Sequence, residues 1–551
     1  MVVIFTAPNR FRWVFCQLEA LRYCFPPSVR QMLEELPETL DETYERILRD
    51  INKANRTHTH RLLQCLTVAV RPLRVAELAE VLAVDFETAS CGATSKLNTN
   101  WRWEDQQQAV VSTCSSLISV VDENDSQVVQ FSHFSVKEFL TSSRLAGSSA
   151  DVSRFHIILE PAHTILARAC LSILLRLDEH VDVYNVENNF PLARYAAEHW
   201  VDHAQVEKVL SQIREEMGYL FDPDKPYFAA WLRVHDIDTD PSVTSALSIF
   251  SVGQKNMATP LYYTSLCGFY DLSEQLVMKH PQQVNANGGH YVSPLGAALG
   301  REHFDVAQLL YEHGADVDVQ GRQRRTPLLG ASAQEDREIV GWLLSHGADL
   351  NLRDDYCSYT SLHLAALNGR VESSRILLQH KADQSALDNN RRTPLHLASN
   401  GGYIDVARLL LEHGVDVNAQ DNNRSTALHM AALYGWVEVT RILLQHKVDQ
   451  NALDSDGHTP LHLASERGYI DVTRLLLEHG VGVNVLDNNR STALHLASKN
   501  SRLEVACLLL EHGADVEAED NSGRTPLQVV SGGQRDEITK LLSEGRISKN
   551  T

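Results

Sequence analysis

The sequence predicts a mainly α-helical protein: a solenoid of tandem helix pairs, preceded by a helical, winged-helix-like region with a small β-hairpin. Three observations support this fold class. A tripeptide of the form Thr-(Pro/Ala/Ser)-Leu recurs at a nearly constant step through residues 251–551. Apolar residues within each step follow helical spacing. In the first half, one segment reads as strand, turn and strand between helical stretches.

The recurring tripeptide defines nine repeats. Each step is 33 or 34 residues, and a leucine follows two residues after every start. Nine starts in one register exclude a chance match, so we expect one helical unit copied nine times. In order, repeats 1 to 9 start at Thr259, Ser293, Thr326, Thr360, Thr393, Thr426, Thr459, Thr492 and Thr525.

Repeat 5 shows how one unit folds. We predict that Thr393 caps a first helix whose first turn holds Pro394, where a missing N–H costs nothing. Glycines 401–402 end that helix, and a second helix follows in YIDVARLLLEH. Gly414 then closes the second helix, because glycine readily adopts the left-handed cap. One helix pair cannot bury its apolar face alone, so the repeats must stack.

The repeat motifs resemble those of the ankyrin-repeat family. They are TPLHLA at 393 and 459, TALHLA at 492, and HGAD at 313, 346 and 512. This resemblance implies an α-solenoid that binds a protein partner. It implies no catalytic residue, no cofactor and no metal.

The first candidate partner site is a ladder of residues ten positions after each start. Tyr403, Trp436 and Tyr469 take this position in three consecutive repeats, and Arg370 takes it in repeat 4. Large amphipathic rings are favoured interface anchors. The alternative is that these residues pack on the neighbouring repeat as groove lining.

The second candidate is a row of basic residues just before the starts. Arg391, Arg424 and Arg490 lie on predicted hairpin tips, where each guanidinium could form a bidentate pair with a partner carboxylate. The alternative is pairing with aspartates a few residues upstream in the same loops, which stabilises the fold little.

Histidines also recur at fixed repeat positions. Members of one row are a full repeat apart, much too far for a shared ion with bonds near 2 Å. We therefore expect hydrogen-bonded, structural histidines. The first row contains His363, His396, His429, His462 and His495.

The first half divides into three predicted segments. Residues 1–58 and 146–250 are helical, and residues 59–145 form the winged-helix-like domain with its hairpin. The segments that carry a resemblance to fungal NACHT–ankyrin proteins of the STAND class are FRWVFCQLEALR, LPETLDETYERIL, FSHFSVKEFL, YAAEHW and FDPDKPYFAAWL.

That resemblance implies that residues 1–58 are the remnant helical tail of a NACHT-type module. The sequence has no GxxxxGK[ST] motif, and so no phosphate cradle. The function expected is a protein-interaction adaptor in a signalling or non-self-recognition context. The alternative is a fragment of a signalling NTPase whose NACHT core is missing.

Composition argues against several other classes. The net charge is −21, so no positive field attracts nucleic acid or an anionic membrane. A DNA-bound winged helix would need more cations than Arg71, Arg74 and Lys137 supply. No stretch of 18 apolar residues occurs, and the nine cysteines form no CxxC pair. We expect a cytoplasmic protein that is not an enzyme.

Overall fold

The computed structural model describes residues 39–86, 96–102, 116–123, 126–178, 180–238, 258–321 and 324–530, with single positions in 105–110 and 537–540. The chain forms two compact units, Met1–Gly253 and Gln254–Thr551. Most of the predicted segment 1–58 lies outside the described residues. None of the described helices combines the length and the apolar character needed to span a bilayer.

The first part of the N-terminal unit combines helices with a three-stranded antiparallel sheet. Its central strand is Ser126–Phe131, which pairs with Leu73–Arg74 on one side and with Ile118–Glu123 on the other. The two predicted strands and the helix after them are confirmed as Ile118–Glu123, Ser126–Phe131 and Phe134–Leu140, while residues 124–125 of the predicted turn lie outside the described residues. In chain order the elements are α1 (Leu40–Asp50), α2 (Arg56–Val68), β1 (Leu73–Arg74), α3 (Val75–Leu82), β2 (Val84–Asp85), β3 (Lys96–Leu97), β4 (Ile118–Glu123), β5 (Ser126–Phe131) and α4 (Phe134–Leu140).

Helix α1 begins at the residue that its sequence favours. The hydroxyl of Thr39 accepts a hydrogen bond from the backbone N–H of Glu42 at 3.2 Å, and the Glu42 carboxylate accepts one from the N–H of Thr39 at 3.4 Å. This capping box satisfies two N–H groups that the helix itself leaves without partners. Thr39 is therefore the N-cap of α1.

The second part of the N-terminal unit is helical, and aromatic residues form its core. Trp200, Phe221 and Trp231 are fully buried, and the two indole rings meet edge to face with centroids 5.4 Å apart. The helices are α5 (Ser143–Ala146), α6 (Ala150–Ser153), α7 (Leu159–Leu174), α8 (Val186–Asn189), α9 (Ala193–Ala204), α10 (Val209–Gln212), α11 (Arg214–Leu220) and α12 (Tyr227–Val234).

A buried charge network joins the sheet-containing part to these helices. The Glu77 side chain is fully buried and accepts hydrogen bonds from Arg71 at 2.7 Å and from Arg74 at 2.8 Å. Arg74 also donates to both carboxylate oxygens of Glu187, at 2.8 and 2.9 Å. The Glu77 carboxylate thus fixes the two arginines around β1, and one of these, Arg74, also holds helix α8.

The C-terminal unit is a series of helix pairs. The first helix of each repeat packs against the first helix of the next repeat. The described residues contain eight complete pairs: Pro260–Leu266 and Tyr270–Lys279, Pro294–Gly300 and Phe304–Glu312, Pro327–Gln334 and Arg337–Ser345, Ser361–Leu367 and Val371–Gln379, Pro394–Gly401 and Ile404–Glu412, Ala427–Tyr434 and Val437–Leu444, Pro460–Arg467 and Ile470–Glu478, Ala493–Lys499 and Leu503–Glu511.

The capping of repeat 5 follows its sequence. Thr393 is the N-cap of the first helix, and Gly402 ends it in the left-handed conformation at φ 73°. Gly414 has φ 78° after the second helix. Leu395 and Leu397 are buried between neighbouring first helices. The leucines therefore lose their contact with water only because the repeats stack.

Candidate functional site

The ladder residues lie where each repeat meets the one before it. Tyr403, Trp436 and Tyr469 are the N-caps of the second helices in repeats 5, 6 and 7. Each ring lies over a left-handed glycine in the preceding repeat. A Cβ atom on Gly402 would be only 2.5 Å from the Trp436 ring, and one on Gly435 would be 2.7 Å from the Tyr469 ring.

Polar ladder residues make the same connection with a hydrogen bond. The Trp436 indole N–H donates to the backbone carbonyl of Asn400 at 2.9 Å. The Nε atom of Arg370 donates to the carbonyl of Ala333 at 3.0 Å. The ladder therefore stabilises contacts between repeats, as groove lining would.

The outer faces of the rings remain accessible. Trp436 is 40% exposed and Tyr469 is 37% exposed, while Tyr403 is half-buried. Packing on the neighbouring repeat and binding a partner are thus compatible for these residues. Their role in binding stays a prediction.

The close contact between Gly402 and Trp436 gives a stability prediction. Gly402→Ala places a Cβ against the indole and keeps an L-residue at positive φ, so we expect a loss of about 2–4 kcal/mol of unfolding free energy. Gly414→Ala has the same φ cost but meets no atom within 4 Å, and it should lose about 1 kcal/mol. Urea unfolding of both variants measures the difference. Equal losses would contradict the close packing of the ring.

The predicted basic residues lie on the hairpin tips that join one repeat to the next. Arg391, Arg424 and Arg490 are exposed and adopt the left-handed conformation, with φ of 60°, 58° and 58°. Gly457 and Gly523 hold the same turn position in two other tips. An L-residue in this conformation costs about 1–2 kcal/mol relative to a favoured one.

Aspartates in the same loops organise the turns. Asp388 is 5% exposed, and its Oδ1 atom accepts backbone hydrogen bonds from Asn390 at 2.8 Å and Arg392 at 2.7 Å. Its Oδ2 atom pairs with the Arg392 guanidinium at 2.9 Å. The arginine that pairs with the aspartate of its own loop is therefore Arg392. Within the described part of the chain, Arg391 makes no ion pair.

The two sets of site residues lie at opposite ends of the first helices. In repeat 5, Arg391 precedes the first helix, Pro394–Gly401, and Tyr403 follows it. A helix of this length, eight residues, spans about 12 Å. The structure thus does not gather the predicted residues into one pocket. It places them along the two edges of a row of first helices.

The hydrogen bonds of the first histidine row indicate a structural role. In repeat 7, the Thr459 hydroxyl lies 2.8 Å from Nδ1 of His462, and the Thr459 N–H donates to the same atom. The other ring nitrogen donates to the carbonyl of Ser491 in the next hairpin. His363 has equivalent bonds. Burial lowers the pKa of both imidazoles to about 4, which favours the neutral ring.

One tip holds a cluster of potential metal ligands. Ligand atoms of Asp454, Asp456 and His458 lie within 4.8 Å of one another. His458 lies 3.6 Å from Asp454 and 3.5 Å from Asp487, and hydrogen bonding to Asp454 raises its pKa. Arg392 makes the equivalent ion pair with its own aspartate. The cluster is therefore explained as a turn aspartate with a cationic partner.

The repeat geometry agrees with family comparisons. Models described as ankyrin repeats match residues 261–354, 328–421, 418–487 and 476–530. The C-terminal unit is an ankyrin-repeat solenoid. Ankyrin repeats form protein–protein interaction modules, which is the coarse function of this unit. In the N-terminal unit, a model described as the winged helix domain of GPI inositol-deacylase matches residues 44–152.

Individual proteins also show similarity to parts of the chain. Azaphilone pigments biosynthesis cluster protein L from Monascus ruber is 32% identical over 291 residues, which are 50% of this chain and 59% of that protein. The chain thus spans less than two thirds of this relative's length. The crystal structure of the ankyrin repeat domain of Bcl-3 is 31% identical, with a TM-score of 0.36, and covers 40% of this chain and 98% of that one.

Proposed function

We propose that the protein is a cytoplasmic adaptor whose ankyrin solenoid recognises a protein partner in a signalling or non-self-recognition context of the STAND type. Partner recognition uses the two edges of the first helices: Tyr403, Trp436, Tyr469 and Arg370 on one edge, and Arg391, Arg424 and Arg490 on the other. The proposal involves no catalysis, no cofactor, no nucleic acid and no membrane.

One observation carries the proposal. Trp436 and Tyr469 expose 40% and 37% of their surface on adjacent repeats, although their inner faces are packed on glycine. Rings fixed on one side lose little conformational entropy when a partner covers the other side. Aromatic residues of this kind are frequent hot spots in interfaces.

The STAND-type context has separate support. In the sequence, the winged-helix match at residues 44–152 is followed by a helical segment and then by the ankyrin repeats. Ion pairs of Arg71 and Arg74 with the buried Glu77, and of Arg74 with Glu187, connect the winged helix to the helices that follow it.

The test must separate binding from folding, because alanine at a ladder position removes contacts between repeats. Residues that other repeats have at the ladder position are better substitutions than alanine. Trp436→Arg should keep a donor to the preceding repeat, since Arg370 and Arg502 donate to the equivalent carbonyls at 3.0 and 3.2 Å. Tyr403→His and Tyr469→His introduce histidine, which repeat 2 has at the same position as His303.

We expect the triple variant Tyr403→His, Trp436→Arg, Tyr469→His to stay folded and to retain about tenfold less partner in quantitative affinity capture with the full chain as bait. A matched control changes the exposed second-helix residues Arg408, Arg441 and Arg474 to Gln. The same partner set at the same yield from wild type and triple variant would refute the role of the aromatic ladder.

A further inference from the structure

Among the described residues, four arginines occupy tip positions that suit glycine. One of them, Arg324, lies 3.9 Å from Asp355 and donates to Gln320 at 3.0 Å, and the other three are Arg391, Arg424 and Arg490. Arg391, Arg424 and Arg490 have φ near 60°, and two other tips have glycine at the same position, Gly457 and Gly523. Glycine reaches this conformation without steric cost, and an arginine does not. All three side chains are exposed, and they make no ion pair or ring contact within the described part of the chain. Arginine therefore adds no internal contact here, and a conformational cost without internal gain indicates an external role.

The tips from which these side chains project are held in place. The N–H of Asn422 donates to the carbonyl of Asn390 at 2.9 Å, and the N–H of Asn521 donates to the carbonyl of Asn489 at 2.9 Å. The side-chain amide of Asn488 donates to the carbonyl of Ser455 at 2.9 Å. Hydrogen bonds thus run from tip to tip. The guanidinium groups start from fixed backbone positions, which lowers the entropy cost of binding.

The aspartates of the same turns already accept hydrogen bonds. Asp421 and Asp487 are 7% and 6% exposed, and their Oδ1 atoms accept backbone N–H groups of their own turns. The guanidinium groups are therefore available for bidentate pairs with external anions. The whole chain carries −21, so its overall field does not attract an acidic partner. Recognition must come from these three groups at contact distance.

We infer that Arg391, Arg424 and Arg490 bind an extended acidic peptide segment of the protein partner. This inference rests on the proposed partner recognition and specifies its chemistry. Packed helices lie about 10 Å apart, and a peptide in the polyproline II conformation advances about 3.1 Å per residue with three residues per turn, so side chains three, six or nine positions apart lie on one face. Arg391 and Arg424 are on adjacent tips, about three peptide residues apart. Arg424 and Arg490 are two tips apart, because the tip between them carries Gly457, so about six residues separate their carboxylates. The matching motif has acidic residues at positions i, i+3 and i+9.

The probe is a fluorescent 12-residue peptide with glutamates at positions 1, 4 and 10 in a serine and threonine background. Its affinity for the full-length protein is measured by fluorescence anisotropy at low and at physiological salt. We expect saturable binding that weakens with salt, and a loss of about tenfold or more in the variant Arg391→Gly, Arg424→Gly, Arg490→Gly. The urea midpoint of this variant should be unchanged or higher, since glycine suits the turns.

Two controls make the result specific. The variant Arg408→Gln, Arg441→Gln, Arg474→Gln removes the same charge from exposed positions on the second helices, and its affinity should match wild type within about twofold. A peptide with its three glutamates adjacent should bind about tenfold more weakly than the spaced peptide.

Absence of peptide binding, equal loss in both variants, or equal affinity for both peptides would overturn the inference. The proposed partner recognition would survive any of these results if affinity capture still depended on Tyr403, Trp436 and Tyr469. It would fail separately if neither triple variant changed the captured partner.

Discussion

Lowering the pH from 7 to 4 is expected to unfold the ankyrin unit progressively. The pKa values of His363 and His462 fall from an ordinary 6.5 to about 4 in the folded chain, chiefly through burial. Because the pKa is lower in the folded chain than in the unfolded chain, the contribution of these histidines to the free energy of unfolding is fully present above about pH 6.5. It is lost as the pH falls toward 4. One pKa unit corresponds to about 1.36 kcal/mol, so protonation of each of these buried rings removes roughly 3 kcal/mol from the free energy of unfolding over this interval.

The geometry supplies the reason for this sensitivity. Nδ1 of His462 accepts hydrogen bonds from Thr459, and a protonated ring would lose that acceptor while burying a charge. Burial also lowers the pKa values of His396, His429 and His495, so five repeats lose stability in the same direction. Urea unfolding at pH 7, 5.5 and 4.5, followed by peptide-resolved hydrogen exchange, measures the effect.

Repeat 9 provides the matched control for this prediction. Gln528 stands where repeats 4 to 8 hold histidine, and its Oε1 atom accepts the N–H of Thr525 at 2.9 Å. The variant His462→Gln should therefore keep the cap, and it should lose the titration together with the hydrogen bond from the ring to the Ser491 carbonyl. Its unfolding free energy should depend less on pH between 6.5 and 4 than that of wild type. An equal pH dependence would show that these histidines are not the cause.

The substitution Glu77→Gln is expected to destabilise the N-terminal unit by about 3–5 kcal/mol, as removal of one partner from a buried ion pair does. The buried Glu77 carboxylate serves both Arg71 and Arg74. A glutamine fills the same volume but is neutral and turns N–H groups toward the guanidinium groups. Glu138→Gln, at an exposed position of α4, should cost less than about 0.5 kcal/mol. Urea unfolding with hydrogen exchange of residues 193–204 compares the two. Equal stability of the two variants would contradict the importance of the network.

The periodic part of the fold could be predicted because its determinants are local. The Thr-Pro start, the glycine caps and the leucine spacing of repeat 5 all act within 33 residues, and the structure confirms Thr393 and Gly414 as caps. The sequence does not predict strand β1, because its two residues are too few to show the alternation of apolar and polar residues that marks a strand.

The Glu77 network could not be predicted because its parts are far apart in sequence. Glu187 lies 113 residues after Arg74, and spacing within a segment does not reveal such a contact. The left-handed tip position was detectable. Aligned tips read DNNR, DSDG and DNSG, and the glycines at 457 and 523 mark the conformation that Arg424 and Arg490 adopt.

The central claim is that the edges of the first helices contact a protein partner. Peptide-resolved hydrogen exchange of the full chain, alone and with its captured partner, tests it most directly. We expect slower exchange at the tips around residues 389–391, 422–424 and 488–490 and in the loops at 402–403, 435–436 and 468–469. Slower exchange confined to the exposed sides of the second helices or to the N-terminal unit would contradict it.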